Sequence, residues 1–204
     1  MKKQLVIKRG ILGGTSLSIQ RRLRDSRFAT RYFRGVGLDI GGGSDSLALY
    51  AEFFPLIRDL RLWDLEDGDA QLLEGLEDES FEFVYSSHCL EHLVDPTAGL
   101  ANWFRVLKKG GYLVVTIPDE DLYEQGEFPS TFNPDHKWTF TIYKEKSWCD
   151  KSLNVFDALT ALQGEKKILK VELLDSGFRT QLPRFDQTLT PVCESGIEFI
   201  VQKL

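Results

Sequence analysis

The 204-residue sequence is poor in cysteine and has no long apolar run. Its three cysteines, Cys89, Cys149 and Cys193, are an odd number without Cys-x-x-Cys spacing, which argues against a disulfide framework or a thiolate zinc site. No apolar stretch approaches the roughly 18 residues that span a bilayer, and Met1 to Gly10 lacks the apolar centre of a signal peptide. We therefore expect a cytoplasmic protein with buried or half-buried thiols and no membrane span.

Repeats, low-complexity tracts and Pro/Gly/Ser-rich linkers are also absent from the sequence. Hydrophobic residues make up 42% and charged residues 27%, which are ordinary values for a globular protein. The length suits one α/β domain with a sizeable core. We expect a main domain over residues 35–204, preceded by a basic arm or cap over residues 1–34.

Positive charge is concentrated in that first segment, which contains ten Lys or Arg and one acid, Asp25, whereas the remainder is strongly acidic. Such a segment could contact phosphates of a substrate or nucleic acid, could lie across the protein's own acidic body, or could be a solvated helix with packed arginine stems. The overall pI of 5.2 argues against nucleic acid as the main partner.

Strand and helix patterns alternate along the chain. The strands are predicted at Val36 to Ile40, Leu60 to Trp63, Phe81 to Tyr85, Tyr112 to Ile117, Ile168 to Asp175 and Ile197 to Gln202. The helices are predicted at Ser16 to Phe33, Ser44 to Phe54, Pro96 to Leu107 and Ser152 to Leu162. This order predicts an α/β, Rossmann-like, doubly wound fold whose sheet is mostly parallel, with an antiparallel C-terminal edge strand.

A glycine-rich turn follows the first predicted strand. Such a turn lets a ligand approach the backbone closely, and the start of the next helix favours a carboxylate or phosphate. The segment Asp39-Ile40-Gly41-Gly42-Gly43 has this form, but nucleotide, flavin and S-adenosylmethionine sites all use such turns. It does not have the Gly-x-Gly-x-x-Gly spacing of dinucleotide-binding proteins.

The same residues resemble the first motif of the class I methyltransferases, written acid-x-Gly-x-Gly-x-Gly. The resemblance implies that Asp39 orients the amino group of S-adenosyl-L-methionine through the loop, and that Gly41 and Gly43 border its methionine part. Asp45 stands where the family has its third glycine, so the contact at that position is expected to differ.

Acidic residues follow the second predicted strand. A carboxylate there can bind both ribose hydroxyls of a cofactor, and Asp64 has the expected separation from Gly41. The resemblance then implies that Asp69 and Ala70 lie beside the adenine. Because the family inserts a helix and a strand between these two motifs, either the sheet is trimmed here or one assignment is wrong; a solvated acidic loop is the plainer alternative.

The segment from Asp78 to Ile117 is the most specific one, with Ser86-Ser87, then Leu90-Glu91-His92, then Arg105-Val106-Leu107-Lys108-Lys109-Gly110-Gly111. It closely resembles the methyltransferases called type 11, and with the glycine turn the resemblance covers roughly residues 35 to 118. We expect Ser86 and His88 to border the cofactor.

His88-x-x-Glu91-His92 also has the spacing of a zinc-binding motif that requires a continuous helix. Here the motif directly follows a strand and stops near Asp95-Pro96, so His92 is interpreted as a structural histidine. The carboxylates of Asp119 to Asp121 are interpreted as a solvated turn. We expect no metal site.

The long polar stretch from Pro118 to Lys146 follows the fourth predicted strand and is expected to face the acceptor. Methyl transfer to a hydroxyl needs a base, and His136 is the predicted catalytic residue because its ordinary pKa is near neutrality. An exposed loop histidine is the plainer alternative. Phe128, Phe132, Trp138 and Phe140 could form an aromatic wall for a flat acceptor or could pack the loop onto the core.

These features predict an S-adenosyl-L-methionine-dependent methyltransferase acting on a small molecule, with a sugar hydroxyl in polysaccharide or secondary-metabolite synthesis as the favoured acceptor. Two alternatives stay open. The first is a non-catalytic subunit that keeps the methyltransferase fold, and the second is an NAD-dependent oxidoreductase, for which the glycine spacing is wrong. The sequence is also compatible with a homo-oligomer.

Overall fold

The computed structural model of this chain describes residues 13–204. Met1 to Gly10, and with them part of the basic segment, lie outside the described residues. Eight strands and three α-helices are present between residues 13 and 204. The strands are β1 (Gly35–Ile40), β2 (Ile57–Trp63), β3 (Phe81–Ser87), β4 (Leu107–Pro118), β5 (Thr139–Thr141), β6 (Ser152–Asn154), β7 (Lys166–Leu174) and β8 (Gly196–Lys203). The helices are α1 (Gly14–Leu23), α2 (Pro96–Arg105) and α3 (Val155–Ala161).

Six of these strands form the central sheet, in the spatial order β2-β1-β3-β4-β8-β7. The strands from β1 to β4 are parallel, whereas β8 runs antiparallel to both β4 and β7. The predicted α/β fold with a mostly parallel sheet is confirmed. The C-terminal strand β8 is antiparallel as expected, but it inserts between β4 and β7, so β7 forms the edge.

The sheet ends at β2, without the helix and strand that the family inserts between the Asp64 and Asp69 motifs. Residues 64–80 form turns and irregular chain between β2 and β3, with no strand or helix. This accounts for the short separation of Asp64 and Asp69. The exposed edge strand β2 carries Arg58, Asp59 and Arg61, charges that discourage pairing with another chain.

Side chains alternate across the sheet and supply two cores. On β4, Leu113, Val115 and Ile117 face the larger core, which α2 and α3 cover. Tyr112 and Val114 face the opposite core, which is completed by buried residues of the N-terminal segment: Ile19, Phe28, Tyr32 and Phe33.

The helices differ from the prediction in three places. The expected helix from Ser16 to Phe33 is α1 followed by a separate π-helical turn, Phe28–Tyr32. The expected helix after the glycine loop forms 3-10 turns instead, Gly43–Asp45 and Leu47–Phe53, because the extended backbone of Ser46 divides the segment into short pieces and Pro55 follows closely. For α3, Asn154 rather than Ser152 is the N-cap, and its side chain accepts from the Phe156 amide at 2.9 Å.

Candidate functional site

The glycine loop leaves the carboxyl end of β1 above a buried carboxylate. Asp39 Oδ2 accepts hydrogen bonds from Ser46 Oγ at 2.7 Å and from the Leu47 amide at 2.8 Å. Gly41 has φ +72°, and a Cβ at this position would lie 2.7 Å from Cys89 Sγ. The loop therefore needs glycine at residue 41, and Asp39 fixes its far end.

Asp39 is fully buried and its other oxygen, Oδ1, has no hydrogen-bond partner within residues 13–204. Burial raises the pKa of Asp39 to about 6, although the bonds from Ser46 and Leu47 favour the charged form. The carboxylate is thus held in an unfavourable environment directly beneath the loop, which is common where a group has a functional task.

Asp45, at the position of the family's third glycine, has a structural partner. Its Oδ2 accepts from the amide of Ser16 at 2.9 Å, and its Oδ1 accepts from Ser16 Oγ. A carboxylate bound to a free amide in the first turn of α1 acts as a cap and favours the helix dipole. The departure from the glycine pattern therefore secures α1 to the loop.

A cavity of about 550 Å³ opens at the carboxyl ends of β1 and β2. Four of the predicted cofactor-binding residues line it: Gly41, Asp64, Asp69 and Ala70. Apolar groups form much of the remaining wall, contributed by Trp63, Leu65, Cys89, Leu93 and Val94. The volume is in the range of ordinary ligand pockets, and the edge of the sheet is where open α/β folds bind ligands.

Asp69 and Ala70 are held in place by hydrogen bonds of their own segment and of α2. Asp69 Oδ1 accepts from the Gln71 amide at 2.8 Å, which closes a turn, and the Ala70 carbonyl accepts from Trp103 Nε1 at 2.8 Å. Trp103 belongs to α2 and is completely buried. The segment facing the cavity is therefore anchored to the larger core.

The other predicted cofactor-binding residues lie around this cavity without lining it. Ser86 is buried and its Oγ donates to the Ile40 carbonyl at 3.0 Å, joining β3 to β1. His88 has φ +55° and packs against Gly14 at the start of α1. Gly43 faces Asp64, since a Cβ there would lie 3.8 Å from Asp64 Oδ2.

His136, the predicted catalytic residue, is buried rather than exposed on a loop. Its Nδ1 lies 2.8 Å from Glu124 Oε1, and its Nε2 lies 3.9 Å from Glu91 Oε1. Burial alone would lower the pKa of His136, but the hydrogen bond to Glu124 and the charge of Glu91 outweigh it, so the pKa is raised.

A second cavity, of about 670 Å³, has His136 in its wall. Its lining combines aromatic rings with charged groups, among them Phe128, Trp148, Asp150 and Lys151. Lys137 lines this cavity and the first one, so the two are neighbours.

The remaining candidates in the long polar stretch have structural partners. Glu120 and Asp121 both bind Lys144, and Asp119 accepts from the amides of Asp121 and Leu122. Phe140 is buried in the larger core, and Phe132 lies under the Arg184 guanidinium at 4.1 Å. Of the four aromatic candidates, Phe128 is the one that lines the second cavity.

The positions of several groups in this region relative to His136 and to the first cavity were not predicted from the sequence. Glu91 and Glu124 are completely buried carboxylates on either side of His136. Asp135 and Lys137 reach the first cavity from the polar stretch. Each depends on the fold of that stretch, since the amides of Lys137 and Trp138 donate to the Glu91 carbonyl.

Residues 28–115 match the sequence profile of a family described as "Methyltransferase domain", type 11. The predicted resemblance to the type 11 methyltransferases is thereby confirmed, and S-adenosylmethionine is the cofactor that it implies. The matched range contains the glycine loop and the wall of the first cavity except for Asp135 and Lys137.

One curated relative is phosphoethanolamine N-methyltransferase 2 of Caenorhabditis elegans, 25% identical over 113 residues, which is 48% of this chain and 26% of that protein. The chain therefore spans about a quarter of the length of this relative. Among solved structures, a SAM-dependent methyltransferase from Archaeoglobus fulgidus has a TM-score of 0.58 at 17% identity, covering 90% of this chain and 94% of that one. The YcgJ protein of Bacillus subtilis has a TM-score of 0.53 at 14% identity, covering 92% and 96%.

These structural matches confirm the fold. A search of residues 13–204 finds no helix with the length and apolar character needed to cross a membrane.

Proposed function

Because residues 28–115 match the type 11 methyltransferase family model and the sheet has the fold of S-adenosylmethionine-dependent methyltransferases, we propose that this chain transfers a methyl group from S-adenosylmethionine to a small molecule. The observation that carries the proposal is the 550 Å³ cavity at the ends of β1 and β2. It brings together Gly41, Asp64, Asp69 and Ala70, which the sequence had separated.

In this proposal the cofactor lies across the strand ends. Asp64 binds the ribose hydroxyls, since a carboxylate has two acceptor oxygens, and Asp69-Ala70 borders the adenine. The apolar wall with Trp63 and Leu93 suits a flat base. Asp39 holds the glycine loop at the methionine end, with Gly43 beside Asp64. Ser86 supports the end of β1 through its bond to the Ile40 carbonyl, and His88 packs against Gly14 of α1, so neither lines the cavity.

The second cavity is proposed to take the acceptor. In-line methyl transfer requires the acceptor atom to face the sulfonium methyl group from the neighbouring space, and the two cavities share Lys137. Phe128 and Trp148 present flat apolar faces suited to a sugar ring, and a sugar hydroxyl is the favoured acceptor. His136 acts on this side, with Glu124 holding its Nδ1 and Nε2 turned away from that carboxylate.

Isothermal titration of the chain with S-adenosylmethionine, with its demethylated product and with NAD tests the cofactor. We expect the first two to bind and Asp64→Ala to weaken both, because the ribose contacts are lost. The exposed Asp78→Ala should leave the affinity unchanged. Binding of NAD with no response to S-adenosylmethionine would contradict the proposal in favour of an oxidoreductase, and no binding at all would favour a non-catalytic subunit.

The acceptor class is tested by methyl transfer from labelled cofactor to a panel of sugars and of small amines. Amines belong in the panel because the curated relative is named as a phosphoethanolamine N-methyltransferase. Label on a sugar hydroxyl would support the favoured acceptor, and label on amines alone would replace it.

A further inference from the structure

Glu91 is a buried carboxylate without a hydrogen-bonded partner. Its side chain has no exposed surface, and within residues 13–204 neither oxygen accepts a hydrogen bond. All three histidines of the sequence surround it. From Glu91 Oε1, the distances are 3.4 Å to His88 Nδ1, 3.9 Å to His92 Nε2 and 3.9 Å to His136 Nε2.

A buried carboxylate whose neighbouring charged groups are imidazoles is stabilised only when those rings are protonated, because burial removes water. The backbone of Glu91 is held in place, since the amides of Lys137 and Trp138 donate to its carbonyl and bring the polar stretch against it. Buried charges in proteins are paired or coordinate metals. A cation among the histidines would satisfy the carboxylate.

The two Nε2 atoms are the free nitrogens of their rings. His92 Nδ1 lies 2.9 Å from Asp135 Oδ2, and His136 Nδ1 lies 2.8 Å from Glu124 Oε1. A carboxylate that holds one imidazole nitrogen fixes the tautomer and leaves the other nitrogen as an acceptor. Metal-binding histidines have this arrangement, and here it occurs twice around one carboxylate.

We propose that Glu91, His92 and His136 form a binding site for a divalent transition-metal ion, with Zn²⁺ as the expected occupant. Their ligand atoms lie within 4.8 Å of one another. Two ligands of one tetrahedral Zn²⁺ are about 3.4 Å apart, so the two 3.9 Å pairs need to close by roughly 0.5 Å and the third pair, within 4.8 Å, by at most about 1.4 Å. Two imidazoles and one carboxylate are a donor set typical of zinc and leave a coordination position open.

This set differs from the His88-x-x-Glu91-His92 motif that the sequence suggested. Leu90–His92 is a single 3-10 turn, so the continuous helix that motif requires does not form. The third ligand is supplied instead by His136, 44 residues after His92. The expectation that the chain has no metal site is the one this inference replaces.

The position of the ion suggests a role in methyl transfer, and this part of the inference rests on the proposed function. His92 lines the first cavity and His136 lines the second. An ion between them would be placed to bind an acceptor oxygen and lower the pKa of its hydroxyl, whose proton would pass to water in the open second cavity before the oxygen takes the methyl group. His136 would then serve the acceptor as a ligand rather than as the base.

Calorimetric titration of the chelator-treated full chain with Zn²⁺ tests the site. We expect one equivalent to bind, and Glu91→Gln, His92→Ala and His136→Ala to abolish this binding. Asp135 is largely exposed, so Asp135→Ala should fold normally, and we expect it to weaken Zn²⁺ binding by up to about 10-fold, because His92 Nδ1 loses the carboxylate and keeps only the Asp135 backbone carbonyl at 3.2 Å. Glu74→Gln, at an exposed acid in the turns after β2, is the matched control and should bind as the parent does.

Substitution by Co²⁺ identifies the ligands by visible absorption. Bands without a thiolate contribution, unchanged in Cys149→Ser, would support the assignment. No Zn²⁺ binding by the parent chain, a thiolate band, or full Zn²⁺ affinity in a folded His136→Ala variant would overturn it. S-adenosylmethionine binding is measured on the same metal-free sample, so loss of the metal inference alone leaves the proposed cofactor site standing.

Discussion

At the scale of single residues, Asp39 links stability to the cofactor site. Its carboxylate is buried under the glycine loop with one oxygen bonded to Ser46 and Leu47 and the other without a partner in the described part of the chain. Burial raises its pKa to about 6, whereas an aspartate in an unfolded chain titrates near 4. The folded state therefore keeps a proton that the unfolded chain releases between these values.

Asp39→Asn is expected to change how stability depends on pH. Below about pH 4 the carboxyl is protonated in both states and contributes no difference. As the pH rises from about 4 through 6, the folded state must ionise a buried group, so its free energy of unfolding falls, by at most about 3 kcal/mol for two pKa units. The amide does not ionise, so the variant should lack this loss.

The measurement is denaturant unfolding of both proteins at several pH values. The quantity to compare is the difference in the free energy of unfolding between parent and variant at each pH. Burial also raises the pKa of Asp119 to about 7, and this contribution is the same in both proteins and cancels in the difference. A difference that stays constant from pH 4 to 8 would show that Asp39 ionises normally.

Gly41 and Gly75 provide a matched pair for the loop. Both have positive φ, +72° and +79°, but a Cβ at Gly41 would meet Cys89 whereas nothing lies within 4 Å of a Cβ at Gly75. Gly75→Ala should cost about 1–2 kcal/mol for the left-handed backbone alone. Gly41→Ala should cost a further 1–3 kcal/mol for the clash and should weaken S-adenosylmethionine binding.

Chemical denaturation and calorimetry measure these two effects separately. Equal losses of stability in the two variants would mean that the loop moves away from Cys89 without difficulty.

At the scale of elements, α1 is joined to the sheet by buried charges. Arg22 donates to Glu198 Oε2, to Tyr85 Oη at 2.7 Å and to Thr116 Oγ1 at 2.9 Å. Arg21 pairs with Glu194 and Glu198 at 2.8 Å. These contacts favour one of the interpretations of the basic segment, that it lies across the protein's own acidic body.

Arg22→Ala is expected to lower the free energy of unfolding by about 3–5 kcal/mol, because removing one partner of a buried pair leaves the other uncompensated. The lower end is expected, since Glu198 keeps Arg21 and Lys170. Arg24→Ala, in the same segment but exposed, should change stability by less than about 0.5 kcal/mol.

Hydrogen exchange shows where the effect occurs. Faster exchange of the α1 amides in Arg22→Ala, with β3 and β4 still protected, is expected. Uniform acceleration across the sheet, or equal losses in the two variants, would contradict a specific anchoring role.

The six strands of the central sheet were predictable because their signal is local. Apolar and β-branched runs such as Tyr112 to Ile117 lie within the observed strands, whose ends differ by a few residues. The strands β5 and β6 were not predicted, because each has three residues and the two form a separate small sheet. The segment after the glycine loop was predicted as a helix, but the extended Ser46 divides it into short 3-10 turns, and helix propensity alone does not predict that break.

The cofactor cavity could be predicted from the sequence, whereas the contact between His136 and Glu91 could not. Gly41, Asp64, Asp69 and Ala70 follow strands whose ends share one edge, so their proximity follows from the topology. The approach of His136 to Glu91 depends on a return of the polar stretch over 45 residues, made by two backbone hydrogen bonds to Glu91. No sequence pattern predicts that the polar stretch returns to Glu91.

At the scale of the whole molecule, the sheet has one core on each face, and residues from the N-terminal segment complete the smaller of the two. Phe28, Tyr32 and Phe33 are almost fully buried there, against Phe54 and Phe83 of the main domain. Two elements, α1 and the π-helical turn, therefore cover a face of the sheet that would otherwise meet water.

A chain reduced to residues 35–204 is therefore expected not to fold cooperatively. Truncating one buried Phe costs about 3–5 kcal/mol, and the shortened chain would lose three such aromatic side chains as well as Arg22. That sum reaches or exceeds the roughly 5–15 kcal/mol that stabilises an ordinary domain.

Thermal unfolding by circular dichroism and amide dispersion by NMR measure whether the shortened chain folds cooperatively, with the full chain and Phe33→Ala as references. Phe33→Ala should unfold cooperatively at a lower temperature, whereas the shortened chain should show no sharp transition. A sharp transition near that of the full chain would make residues 35–204 an independent domain and the preceding segment a dispensable arm.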